Sequence, residues 1–173
     1  MSRIIPLLFI ILASTSSYAQ TGNEAFKIDF LEKWSNQKTY LLELLEMMPE
    51  EHYDFKPTEE EMTFKKLVIH ITSNMLWLSK SYLEGGEFEA LVRNADPSKA
   101  ELIDYVSRAF DFAYQAAENT PPHYLETRVS FFAGEKNIRQ MYELMDDHLT
   151  HHKGQLTVYL RLNGLKPPRF VGW

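Results

Sequence analysis

The chain has 173 residues, enough for one domain with a sizeable core. Its 45% hydrophobic and 24% charged residues are ordinary for a globular protein, and 7 Gly and 8 Pro are too few for a low-complexity chain. A net charge of −6 without a basic cluster argues against nucleic-acid binding, and the absence of cysteine excludes disulfides, thiolate metal ligands and a Cys nucleophile.

The opening MSRIIPLLFIILASTSSYAQ reads as an export leader. Arg3 supplies the positive start, Ile4 to Ala13 the apolar run, and Ser17 and Ala19 the small residues that a signal peptidase reads. Cleavage is expected after Ala19, so residues 1–19 form the leader and 20–173 a single periplasmic or secreted domain. The apolar run is too short to span a bilayer. A lipid attached at the new N-terminus would need a cysteine, so no stable membrane anchor is expected after cleavage.

Asn23 to Met48 is predicted as the first helix, because Phe26, Phe30, Trp34, Leu41, Leu44, Leu45 and Met48 recur at helical spacing. Pro49 ends it. A loop containing Pro57 follows. Its acidic run Glu59-Glu60-Glu61 reads as a solvated approach to the next helix, where negative charge favours the N-terminus. The second helix is expected from Thr63, its N-cap, to Leu83, with Gly85-Gly86 terminating it. Phe64, Leu67, Ile71, Met75, Leu78 and Tyr82 make its core stripe. His70 flanks that stripe, with Asn74 one turn on and Trp77 two turns on, on the same side. Periodicity alone makes His70 a half-exposed boundary residue, a position that also suits a ligand at the mouth of a cleft.

Asp96-Pro97-Ser98 starts the third helix, with Glu101 completing a capping box from Ser98. Leu102, Tyr105, Val106, Ala109, Phe112, Ala113 and Ala116 form its apolar face, and it stops before Pro121-Pro122. Tyr124 to Phe132 is rich in β-branched and aromatic residues and reads as extended, without an evident partner strand. The aromatic residues of the tail KPPRFVGW are expected to fold back on the bundle.

Asn137 to Gly164 reads as the long last helix. With His148 as zero and a rotation of about 100° per residue, Met141, Met145, His152, Leu156 and Tyr159 fall between roughly 20° and 80°. Arg139, Glu143, Asp146, Thr150, Lys153, Thr157 and Arg161 collect on the opposite, solvent face. His148 and His152 therefore share the buried stripe one turn apart, and both imidazoles reach a single point. His151 points to the stripe's margin. Aligned histidines suit chelation of a divalent ion, although a hydrogen-bonded core histidine is the common alternative and a site needs a third ligand. Tyr159 lies on the ligand side and is a candidate proton donor, while aromatic residues at this spacing ordinarily pack the core. Four amphipathic helices with almost no strand predict an all-α four-helix bundle.

The segments LVIHITSNMLWL and HLTHHKGQLTVYLRLNGLKPPRF, with HxxxH, GQ, YLR, Gly and a Pro pair in one order, resemble the DinB/YfiT-like family. The resemblance covers roughly Phe26 to Trp173. It implies a four-helix bundle with one long crossover connection, often dimeric. It also implies a divalent ion, Ni, Zn or similar, held by His70, His148 and His152. Asn74, Gln155 and Asp147 are candidates for holding the ligand rings in place. The chemistry so implied is that of a metal-dependent hydrolase or transferase acting on a small molecule through metal-bound water or thiol. The competing reading is a non-catalytic metal-binding or partner-binding bundle of the cell envelope.

Overall fold

In the computed structural model of the chain, the backbone is described for residues 5–88 and 96–173, and side chains for 21–88 and 96–173. The elements in order are α1 (Ile5–Met47), a 3-10 turn (Glu50–His52), α2 (Phe64–Tyr82) and α3 (Lys99–Asn119). A second 3-10 segment (Pro122–Glu126), β1 (Arg128–Val129), β2 (Lys136–Asn137) and α4 (Ile138–Leu162) complete the chain. Helix α1 starts upstream of Asn23, the residue where periodicity placed its beginning. The expected leader and its cleavage point lie outside the residues whose side chains are described. Among the described residues, no helix is long and apolar enough to cross a membrane.

Side-chain pairings set the directions of the four helices. Helices α1 and α4 run parallel, since Phe26 meets Tyr142, Lys33 meets Asp146 and Tyr40 meets Lys153. Helices α1 and α3 run antiparallel, with Lys27 on Glu118 and Trp34 on Phe110. Phe64 against Tyr159 and Ser79 against Met145 make α2 antiparallel to α4. Lys65 pairs with Asp96 just ahead of α3, while the backbone N–H of Glu84, just past α2, donates to Thr120 just past α3 at 3.0 Å. Helices α2 and α3 are therefore parallel, so the connection leaves α2 at one end of the bundle and enters α3 at the other. This is the one long crossover; the other two connections turn at a single end.

The core is aromatic at its centre. Trp34 stacks on Phe30 with ring centroids 5.4 Å apart and tilts against Phe110 at 5.0 Å. Burying each such side chain contributes about 1.5–3 kcal/mol. In α3 it is Phe110, rather than Phe112, that is fully enclosed; Phe112 packs at the margin against Phe88. A helix wedged between two neighbours buries a face wider than a single stripe.

The helix ends are satisfied locally. Thr63 accepts from Lys66 N at 3.2 Å, and Ser98–Glu101 and Asn137–Gln140 form capping boxes. Two lysines serve the carbonyl ends, where a cation also matches the helix dipole. Lys27 donates to the carbonyls of Glu118 and Thr120 at the end of α3, and Lys99 to those of Glu46 and Met48 at the end of α1. Gly164 takes φ +74° after α4, and a Cβ on Gly85 would stand 2.6 Å from the Ser79 carbonyl oxygen.

Three local expectations are corrected. The extended segment does have a partner: Arg128 and Val129 pair antiparallel with Asn137 and Lys136, residues whose helical context hid a strand. Lys153 is not on a solvent face but only 4% exposed, because α1 packs along that side of α4. It donates to Gln37 Oε1 and lies over the rings of Tyr40 and Phe170. The tail does turn back, with Phe170 on Tyr40 at 6.2 Å and Trp173 under Lys33 at 5.7 Å, yet both tail rings remain 66% exposed.

Candidate metal centre

Helix α2 carries His70 and the antiparallel α4 carries His148 and His152, so bundle packing alone brings residues 78 positions apart into contact. The three ring centroids lie 4.8 Å (His70 to His148), 4.7 Å (His70 to His152) and 4.5 Å (His148 to His152) apart. One nitrogen from each ring falls within 4.8 Å of the other two. The Nε2 atoms of His70 and His148 stand 3.0 Å apart. Two imidazoles bound tetrahedrally to one ion at about 2.05 Å would place their nitrogens about 3.3 Å apart. That pair needs only a few tenths of an ångström to admit an ion; His152 needs a modest ring movement.

The protonation state suits ligands. All three histidines are half-buried. Burial, followed by the neighbouring His152, His70 and His151, pushes the His148 pKa down to about 4. His152 is also lowered, chiefly by burial, against an opposing hydrogen bond to Gln155. Neutral imidazoles offer lone pairs at neutral pH. The Gln155 amide oxygen lies 2.7 Å from His152 Nδ1 and can only accept, so Nδ1 carries the proton and Nε2 is left with its lone pair. This partner is on the same helix, three residues on, a spacing that makes side-chain contact local.

The other sequence candidates fall in different places. Asn74 makes no hydrogen bond to a histidine; its Oδ1 is buried without a partner, one turn from His70. Asp147 is exposed and faces a cleft beside the centre rather than a ligand ring. Tyr159 is 3% exposed, donates to the Met62 carbonyl at 2.8 Å, and packs on Phe55 and Phe64. It is a core residue turned away from the histidines. His151 is exposed, and its ring meets only the outer side of His152.

Comparison with known proteins follows this geometry. Residues 19–172 match the DinB family. The chain belongs to the DinB family. YjoA of Bacillus subtilis strain 168, described as uncharacterized, is 26% identical over 125 residues, covering 70% of this chain and 80% of YjoA. The crystal structure of that DinB-like protein superposes with a TM-score of 0.69 at 22% identity, covering 82% of this chain and 96% of YjoA. A DinB-like protein of Bacillus cereus ATCC 10987 gives 0.67 at 20% identity, covering 82% and 95%. These structures share the DinB fold with this chain.

The polar cluster on the far side of α4 was not legible beforehand. Gln37, 1% exposed, donates to Asp146 at 2.7 Å while accepting from Lys153, and Lys33 pairs with Asp146 at 2.5 Å. Lys153 and Asp146 looked like ordinary solvent-face charges, and no spacing rule reveals which helix will cover them.

Proposed function

We propose that His70, His148 and His152 hold one divalent ion, Ni, Zn or similar, and that this DinB protein is an exported metal-dependent hydrolase or transferase acting on a small molecule. The observation that carries this reading is the convergence of three imidazoles on one point, one already oriented by Gln155. Three protein ligands leave coordination positions open, as in catalytic rather than structural sites. When bound, such an ion supplies Lewis acidity and makes water or a thiol a stronger nucleophile at neutral pH.

The chain's own residues do the rest. His148, kept neutral by burial, remains a lone-pair donor well below neutral pH. Gln155 holds the His152 ring. Asn74 Oδ1, one turn from His70, is a buried hydrogen-bond acceptor without a donor. Export rests on the leader pattern of residues 1–19.

The test is elemental analysis of protein purified after expression with its leader, alongside His70→Ala. One divalent ion per chain in the wild type and loss of that ion in the variant are expected. Unchanged stoichiometry in His70→Ala would remove the three-ligand assignment. A hydrolase substrate panel, run with and without chelator, then separates catalysis from simple metal storage.

A further inference from the structure

A cleft of about 390 Å³ is lined by Phe131, Phe132, Met141, Glu143, Leu144 and Asp147 among others. That volume is in the range of small-molecule sites. Two of its α4 residues sit on the histidine side of the helix, Leu144 one turn and Met141 two turns ahead of His148, while Glu143 and Asp147 carry the lining round toward solvent. On α2, Trp77 lies two turns beyond His70, rotated by only about 20° and displaced by about 10 Å. Because α2 and α4 are antiparallel, these two displacements run in the same direction along the bundle. Trp77 and the Met141 side of the cleft therefore both lie about two turns along the bundle from the histidines, in the same direction.

Phe131 and Phe132 of that cleft belong to an aromatic cluster with Trp77. Trp77 is stacked with Phe131 at 5.8 Å and 29°, and with Phe132 at 6.4 Å and 30°. Phe131 and Phe132 are 4.3 Å apart. The β1–β2 turn presents the two Phe rings; Phe131 is half-buried at the edge of the core, while Trp77 is 40% exposed and Phe132 85% exposed. Exposed apolar rings grouped next to a polar centre mark a binding surface more than a packing one.

We propose that Trp77, Phe131 and Phe132 form the subsite for a flat apolar group, such as a phenyl ring, on the small molecule whose reactive end sits at the three histidines. The assignment rests on the metal reading above. The substrate class is thus an amphipathic molecule with a polar, metal-seeking end and an aromatic or similarly flat end about 10 Å away. Glu143 and Asp147 outweigh Lys136 in the cleft lining and disfavour a second anionic group on that end.

The experiment uses hydroxamates as metal-seeking probes on metal-loaded, full-length mature protein. Acetohydroxamate is compared with ω-phenylalkyl hydroxamates of increasing linker length and with their alkyl counterparts, by competition binding. The phenyl series should bind about tenfold tighter than the alkyl series, the gain peaking when the linker spans about 10 Å. Trp77→Ala and Phe132→Ala, both at exposed positions, should each erase most of that gain while leaving metal stoichiometry and acetohydroxamate affinity unchanged. Equal affinities for phenyl and alkyl probes, or a gain that survives in both variants, overturn the subsite. If the aromatic fluorescence instead tracks protein concentration without a probe, the cluster is covered by a second copy and the proposal also falls. Failure of the wild type to hold metal defeats the metal reading itself; metal held without any phenyl preference defeats the subsite alone.

Discussion

Replacing Gln155 with Leu tests how the centre is built, because it removes one hydrogen bond and keeps much of the side-chain volume. The bond at stake is that from His152 Nδ1–H to Gln155 Oε1, 2.7 Å long. Without it the imidazole is free to change tautomer and to rotate, and outer partners of this kind typically hold about 10–100-fold of metal affinity, or about 1.4–2.7 kcal/mol. Gln155 is only half-buried, so water replaces the lost partner and the metal-free protein should lose less than about 1 kcal/mol. An ion at a hundred times its Kd stabilises the native state by about 2.7 kcal/mol; at the same free ion, the variant keeps about 1.4 to 0.4 kcal/mol. For a domain of this size the difference is a fall in Tm of roughly 3–9 °C in the presence of metal and little change in its absence. Affinity is read by competition against a chromophoric chelator, and Tm by circular dichroism with and without the ion. Gln155→Glu, which retains the acceptor, should restore binding. Equal affinity in Gln155→Leu and wild type would show that the ring is held by the bundle itself and that this hydrogen bond is incidental.

Metal-free protein should be most stable above about pH 6.5 and lose stability as pH falls toward 4, because unfolded histidine takes up a proton near 6.5 while native His148 resists until about 4. Melting curves across that window check it, and His148→Asn should flatten the slope. Tyr159→Phe should leave metal stoichiometry intact and cost about 0.5–1.5 kcal/mol in urea unfolding, the value of its bond to the Met62 carbonyl. A large loss of metal in that variant would place Tyr159 in the centre after all. Lys153→Met should cost about 1–3 kcal/mol, since it leaves the buried Gln37 oxygen without its donor, and should not alter metal content. A neutral result would mean that the apolar replacement repays the lost pairing.

Much of this protein is written locally. Thr63, Ser98 and Asn137 are caps because a short polar side chain ahead of an apolar-periodic run satisfies the first free N–H groups, and each does so here. The alignment of His148 with His152 is equally local, since two positions four apart on any helix share a face. The arrival of His70 is not local. Only the antiparallel packing of α2 on α4 sets its ring 3.0 Å from His148, and the resemblance to the family anticipated that contact where periodicity left His70 at a boundary. The same packing decided which charges are solvated: Lys153 has a surface residue's sequence pattern and a core residue's exposure, because hydrophobic periodicity describes one helix and says nothing of how many neighbours will flank it. Trp77 and the Phe131–Phe132 pair, distant in sequence and on different elements, meet where the β1–β2 turn that precedes α4 comes against α2. Helix content, helix ends and the two-histidine register thus follow from the sequence by short-range physics. The third imidazole, the buried lysine and the aromatic cluster exist only after long-range packing has chosen each helix's neighbours and direction.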